Sequence, residues 1–320
     1  MNKILITGGS GFIGTNMVEY YINQSFSILN LDIASPLDEK QLKYWSKCDI
    51  NNKDDLINQF KKFRPTHIVH LAAGTGMDVK DISHFKTNFE GVKNIISASN
   101  AVDSVVKIVF TSSLLVCERS YSPKDDVDFK PDTLYGESKV LSEKIVRESN
   151  INSDWSIVRP TAVWGPWFRS SYTTFFKLVM KGYYFNPGKK ILKKPATFVG
   201  NTIYMIDKIL HSEESNNNVY YLADYPEYSI QEWAKSISFF AGKRNPFSFP
   251  RILILSIAKI GDILKFLKIF SDPPLTTFRL NNIISSTSYD LDKTKFIVGN
   301  LPYDLNSSVE LTLNWLKNHS

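Results

Sequence analysis

The chain has 320 residues, 43% of them apolar, enough to bury one large core or two smaller ones and too apolar for a disordered polymer. Its 38 basic and 32 acidic side chains leave a net charge of +6 with no basic run, which argues against a nucleic-acid arm and suits an anionic small molecule. Cys48, Cys117 and five scattered His residues supply neither a disulfide framework nor a metal-ligand spacing, so reduced thiols and no structural metal are expected.

Met1 leads straight into a strand pattern without the basic, apolar and cleavage regions of a signal peptide, and a cytoplasmic address is expected. Short β-branched runs then alternate with amphipathic segments, the pattern of βαβ units around a parallel sheet. Strands are predicted at Lys3–Thr7, Ser27–Asp32, His67–Leu71, Val105–Thr111 and Trp155–Val158. Helices are predicted at Phe12–Asn23, Asp54–Phe63, Phe85–Asn100 and Leu134–Glu148, where apolar residues recur at three- and four-residue intervals. Thr202–Leu210 reads as a further helix and Asn218–Leu222 as a further strand. Between and after them the texture turns helical and irregular, with Pro, Gly and Lys punctuation at 187–190 and 272–274. The expected fold is a doubly wound α/β sheet domain, residues 1–165 plus about 197–227. A smaller, discontinuous substrate lobe is expected from about 166–196 and 228–320.

Directly after the first strand stands Thr7-Gly8-Gly9-Ser10-Gly11-Phe12-Ile13-Gly14, opening into a helix. Gly8, Gly11 and Gly14 permit a tight turn, close backbone approach to a pyrophosphate and close helix packing, and the helix N-terminus offers N–H groups to phosphate. Phe12 and Ile13 belong to that first turn. Asp32 closes the second strand 18 residues after Gly14, where a carboxylate accepts ribose hydroxyls and repels a 2′-phosphate. Ile33 to Pro36 bring no cation to reverse that preference, so NAD is the expected cofactor. Asp49 and Ile50 follow a third strand; Asp49 either meets the adenine amine, with Ile50 on the ring, or caps the turn before Asn51 and Asn52.

Tyr135 and Lys139 lie four apart at the start of a helix and share one face. A free tyrosine titrates near pH ~10, and a neighbouring ammonium is expected to lower that value so the phenol can act as acid and base near neutrality. Ser113, 22 residues before Tyr135 and just after a strand, is placed to hydrogen-bond the reacting oxygen. The chemistry these residues suit is hydride transfer at a secondary alcohol or ketone.

In this order, the residues resemble the extended short-chain dehydrogenase/reductase family, which includes the nucleotide-sugar epimerases, dehydratases and ketoreductases. The resemblance also rests on His70-Leu71-Ala72-Ala73, Asn88, Thr111-Ser112-Ser113 and the segment Arg159 to Pro166. It implies a Rossmann fold and cofactor contacts from Leu71, Ala72, Ala73, Asn88, Pro160 and Val163, besides Tyr135 and Lys139. It further implies a homodimer built on the helices Phe85–Asn100 and Leu134–Glu148. Departures narrow the chemistry. Thr111 is followed by two serines rather than the Asp-Glu pair of the dehydratases, and Leu114 stands where 3,5-epimerases carry Cys. Cys117 and Glu118 replace the usual Tyr-Gly of the serine loop, and Cys117 reads as a packed core residue.

A nucleotide-activated sugar is the expected substrate, modified at its 4-position by an epimerase or ketoreductase. Ser112, Ser113, Lys194, Asn201 and Arg279 are the expected contacts, because Lys194 and Arg279 resemble the phosphate-binding cations of related epimerases. A competing reading comes from Phe198-Val199-Gly200-Asn201-Thr202, which is similar to a segment of hydroxysteroid dehydrogenases, and from the apolar stretch Arg251 to Phe270. Lys259, Asp262, Lys265 and Lys268 interrupt that stretch too closely for a membrane span, and an amphipathic helix covering the lobe is expected. A non-catalytic NAD-binding regulator is the third reading, opposed by the intact Ser113, Tyr135 and Lys139.

Overall fold

A computed structural model describes residues 2–76, 79–118, 121–168, 171–188, 191, 193, 195–270, 273, 275–277, 280 and 289–319, with backbone alone at 171 and 251. They form two compact units: Met1–Trp167 with Thr197–Ala223 and Tyr289–Pro302, and Phe168–Ala196 with Asp224–Ser288 and Tyr303–Ser320.

The first unit is a seven-stranded parallel sheet. Along the chain run β1 (Lys3–Thr7), α1 (Phe12–Asn23), β2 (Ser27–Asp32), β3 (Trp45–Lys47), α2 (Lys53–Phe63) and β4 (His67–His70). They are followed by α3 (Lys86–Asn100), β5 (Lys107–Thr111), α4 (Leu134–Glu148) and β6 (Asp154–Pro160). The spatial order is the strand Asn218–Leu222, then β6, β5, β4, β1, β2 and β3. The chain therefore winds outward from β1 to β3, then crosses back to β4. That reversal opens a crevice at the carboxyl ends of β1 and β4, where sheets of this kind hold ligands.

Because both faces are covered, the strands read as continuous apolar runs rather than alternating ones. Leu5, Leu31, Ile68, Ile108 and Ile157 pack on one face against Leu56 and Phe60 of α2 and Val92, Ile95 and Ile96 of α3. On α1, Tyr20 and Tyr21 each donate to Asp207 of the helix Val199–His211 at 3.0 Å. That helix begins three residues before the expected Thr202. Its extra residues include Gly200, which costs little there because N–H groups of the first turn have no intrahelical partners.

The segment Tyr289–Pro302, expected within 228–320 of the lobe, packs with the sheet unit. Thr294 donates to the Tyr221 carbonyl at 2.7 Å, Lys293 pairs with Asp126 at 2.8 Å, and Tyr289 stacks on Tyr221 with ring centres 4.7 Å apart. Side-chain anchors of this sort join residues distant in sequence and leave no periodic signal.

The second unit is mainly helical: Ser171–Met180, Ile230–Phe240, Arg251–Phe266 and Leu305–Asn318, with a two-residue parallel pairing of Asn186–Pro187 and Ser248–Phe249. Its core gathers Phe175, Phe176, Tyr172 and Tyr228 around the buried Trp233. Ser229 and Glu232 form a reciprocal capping box that starts the helix carrying Trp233.

Candidate active site

The loop after β1 turns at Gly8, whose φ of +72° lies in the left-handed region. A Cβ on Gly8 would stand 2.6 Å from the Ala72 nitrogen, and one on Gly14 would stand 2.2 Å from the Gly8 carbonyl oxygen, so the turn requires glycine at both. Gly11 is the N-cap of α1, and Phe12 and Ile13 begin its first turn, half-buried. The result is a backbone cradle at a helix N-terminus, the arrangement a pyrophosphate needs. Asp32 stands beside it: its carboxylate accepts the Ser10 and Ala34 N–H groups, both at 3.0 Å. Each oxygen keeps a lone pair for a ribose hydroxyl. Buried Asn30, which the glycine spacing did not reveal, supports the loop by donating to Ser10 Oγ at 3.1 Å.

Leu71, Ala72 and Ala73 continue from β4 and lie against this cradle, with the Leu71 N–H donating to the Thr7 carbonyl at 3.0 Å. Buried Asn88 ties the same loop to α4. Its Oδ1 accepts the Gly74 N–H at 2.7 Å, while Nδ2 donates to the Gly74 carbonyl at 3.1 Å and to Ser138 Oγ at 2.9 Å. Asn88 therefore positions the loop and the helix that carries Tyr135.

Thr133 caps α4 by accepting the Gly136 N–H at 3.0 Å. A Cβ at Gly136 would stand 2.2 Å from the Leu115 carbonyl oxygen, so only glycine lets the start of α4 press this closely on the serine loop. That approach sets the Ser113 hydroxyl beside the Tyr135 phenol, where it acts to lower the phenol's pKa. Ser113 Oγ also accepts the Leu115 N–H at 3.1 Å, fixing its rotamer. One turn along, buried Lys139 donates to the Thr111 carbonyl at 2.9 Å, its Nζ 5.8 Å from the centre of the Tyr135 ring. Serine, tyrosine and lysine are thus brought together as the sequence expected.

Their electrostatics differ from expectation. Burial pushes the Tyr135 phenol up to about 12, against the opposing Ser113 hydrogen bond, and burial pulls Lys139 down to about 8, against the nearby Glu143 carboxylate. The predicted lowering of the tyrosine by its lysine is overturned here, because desolvation of the phenolate outweighs an ammonium that bonds a carbonyl instead.

Other expected contacts fare unevenly. Asp49 accepts the Asn51 backbone and side-chain N–H groups, both at 2.9 Å, in a local turn, while Asn52 is the actual cap of α2. Ile50 is buried in the core against Gly91 of α3, not exposed to a ring. Ser112, expected on the substrate, instead lines a small pocket with His70, Thr111, Ser142 and Glu143. Its hydroxyl has no hydrogen-bond partner among the described residues. The alternation of side chains at the strand end sends Ser112 inward and Ser113 outward. Pro160 ends β6 and Val163 lies in the short strand Ala162–Trp164. Asn201 is buried in the first turn of Val199–His211. Lys194 and Arg279 lie outside the described residues. Cys117 packs with Val116 and Val140. Among the described residues no cluster of His, Cys, Asp or Glu could hold a metal ion.

Comparison with known proteins agrees with this geometry. A family model described as the NAD dependent epimerase/dehydratase family matches residues 4–192. The chain belongs to that family. An N-acetyl-α-D-glucosaminyl-diphospho-ditrans,octacis-undecaprenol 4-epimerase from Escherichia coli O157:H7 is 25% identical over 326 residues, covering 98% of this chain and 95% of the relative. A 3-β-hydroxysteroid dehydrogenase from Mycolicibacterium neoaurum is 25% identical over 264 residues, covering 77% of this chain and 72% of the relative. The crystal structure of a Thermus thermophilus UDP-glucose 4-epimerase in complex with NAD has the same fold, with TM-score 0.73 and 19% identity over 99% of this chain and 100% of that one. This member of the epimerase/dehydratase family is an NAD-dependent enzyme of the extended short-chain dehydrogenase/reductase type. The glycine cradle and the Asp32 carboxylate fit NAD.

A buried histidine beside the site has a consequence for stability. His70, at the end of β4, is hydrogen-bonded to Thr7 Oγ1 at 2.7 Å, and burial with the nearby Lys139 ammonium pushes its imidazole down to about 3. Above its ordinary value of 6.5 the ring is neutral folded or unfolded, and its contribution to stability is complete. Below 6.5 the unfolded chain takes up a proton that the folded one refuses, so stability falls by about 1.4 kcal/mol per pH unit until the pH approaches 3. Urea unfolding at pH 7 and pH 5 is expected to show this fall, and His70→Asn to flatten it. An unchanged slope in the variant would assign the loss to other groups.

Proposed function

We propose that the enzyme is a 4-epimerase of a sugar carried on a diphosphate, with Tyr135 as its acid and base. The observation that carries this reading is the grouping of Ser113 beside the Tyr135 phenol with buried Lys139 one turn along α4, next to the glycine cradle. Held by the glycine cradle and Asp32, NAD would supply a reversible hydride acceptor. Tyr135 takes the proton of the 4-hydroxyl and later gives it back to the ketone oxygen, which the Ser113 hydroxyl steadies by hydrogen bonding. Lys139, whose value of about 8 leaves it protonated at neutral pH, holds the Thr111 carbonyl at the strand end that leads to Ser113 and so positions the serine beside the phenol. Nothing in this set removes a second proton from carbon, which favours epimerisation or reduction at one carbinol over elimination.

The carrier differs among relatives: UDP in the UDP-glucose 4-epimerases and a polyprenol in the E. coli relative. Both keep the sugar–diphosphate linkage. A sterol reading has support in the M. neoaurum relative and in the segment Phe198 to Thr202. For assembly, we propose a homodimer through α3 and α4, which pack side by side and leave Leu141 exposed.

The test is proton NMR of UDP-N-acetylglucosamine and of the same sugar on a diphospho-polyprenol, each incubated with enzyme and NAD in deuterated water. A 4-epimer should accumulate with its carbon-bound hydrogen retained and no net NADH. A 4-ketoreductase would instead consume NADH with a 4-keto sugar. If neither sugar is converted while a 3β-hydroxysteroid is oxidised, the sterol reading replaces this one.

A further inference from the structure

The helix Arg251–Phe266 has two apolar sides, and the second unit uses only one. Ile254 and Ala258 are buried against Leu280, with Leu255, Phe185 and Leu275 around them. The opposite arc presents Ile252, Leu253, Ile260, Ile263 and Phe266 to solvent, interrupted only by Ser256 and Lys259. Ile252 is 77% exposed and Phe266 84%. Beyond the helix the exposed Leu267, Ile269 and Phe270 extend the same apolar surface. The expectation of a helix that merely covers its lobe therefore accounts for four of its ten hydrophobic residues. A contiguous apolar surface of this length is rare on a protein that meets only water.

Charge selects what covers it. Between Lys243 and Phe270 the chain has six basic residues and one acid, Asp262. Asp262 is turned toward the neighbouring loop, where it accepts the Thr277 hydroxyl at 2.6 Å and the Thr277 N–H. Lys243, Arg244, Lys259, Lys265 and Lys268 are exposed. Two copies of this face would bring their lysines together and repel. Anionic headgroups complement them, and an apolar helix that carries exposed lysines lies in the plane of a bilayer surface, long lysine stems reaching the headgroups. No helix among the described residues is long and apolar enough to cross a membrane.

We infer that the exposed face of Arg251–Phe266, continued to Phe270, docks on an anionic lipid bilayer. Phe266, Ile263 and Ile252 enter the acyl boundary, Lys259 reaches from among them to the phosphates, and Lys265 and Lys268 add positive charge near the surface. If the diphosphate-sugar reading above holds, on which this clause rests, an enzyme held there takes a sugar whose diphosphate is anchored in that bilayer by a lipid.

Sedimentation of the NAD-loaded protein with vesicles tests the docking without any turnover. Binding to phosphatidylglycerol-containing vesicles is expected to exceed binding to phosphatidylcholine alone by about tenfold and to fall with salt. The triple variant I252E/I263E/F266E should lose binding to both, and K259Q/K265Q/K268Q should lose only the preference for anionic lipid. NAD affinity, measured in parallel, should be unchanged and shows that the variants fold. The proposal is overturned if the wild type stays in the supernatant at low salt. It is equally overturned if ultracentrifugation shows a dimer that the glutamate variant dissolves, since the face then pairs with itself. Comparing turnover of the UDP-linked and vesicle-borne sugars separates the two readings. Docking with neither sugar converted removes the epimerase reading and leaves the docking intact. Conversion of the UDP-linked sugar alone removes the lipid-carrier clause.

Discussion

Tyr135→Phe is expected to lower turnover by ~10²-fold or more, the usual scale for a positioned acid/base group, while leaving NAD affinity nearly unchanged. The phenol lies beside Ser113 in a site whose packing comes from the ring, so the phenyl side chain keeps the edge contact with Phe85 at 5.8 Å between centres. What is lost is the one proton that must leave and return. A hundredfold loss corresponds to about 2.7 kcal/mol of transition-state stabilisation. Steady-state kinetics with a responsive substrate, alongside calorimetric titration of NAD, separates the two effects. Wild-type turnover by the phenylalanine variant would remove Tyr135 from the mechanism.

The second large effect is expected at Glu143, four residues beyond Lys139 on α4. Glu143 accepts Arg159 Nε at 2.8 Å and Nη2 at 2.7 Å, a paired arrangement with both side chains 1% exposed. Arg159 also donates to the Tyr221 hydroxyl at 2.9 Å and to the Asp126 carbonyl at 2.7 Å. Glu143→Gln keeps the shape but leaves the guanidinium buried without its counter-charge, a change that costs about 3–5 kcal/mol in comparable buried pairs. Chemical denaturation should register that loss, and Glu143→Gln combined with Arg159→Met should recover much of it, because the uncompensated charge is gone. Glu143 also holds the Lys139 value up against burial. Removing it lowers that value further below about 8, so the alkaline fall in activity, where Lys139 loses its proton, should move to lower pH. A stability loss without this movement would limit Glu143 to structure.

The sequence by itself determined the sheet domain and the cofactor loop, because both are local. Apolar runs with β-branched residues mark strands regardless of their neighbours, and Gly8, Gly11 and Gly14 serve a turn closed within a few residues. Ser113, Tyr135 and Lys139 were legible for a related reason: a helix fixes the four-residue spacing, and the strand end fixes the serine.

Tertiary structure alone decided the rest. The rise of Tyr135 to about 12 depends on water excluded from all sides, which no spacing records. Ser112 and Ile50 fell inside rather than at the site because burial is set by what packs against a residue. Asn30, Asn88, Glu143 and Arg159 support the site through partners up to 62 residues away, and a polar residue in a helix or strand carries no mark of such a partner. Arg251–Phe266 makes the same point from the other direction: its sequence fixes an apolar helix, but only the fold reveals which side is spent on the core and which is left for a partner.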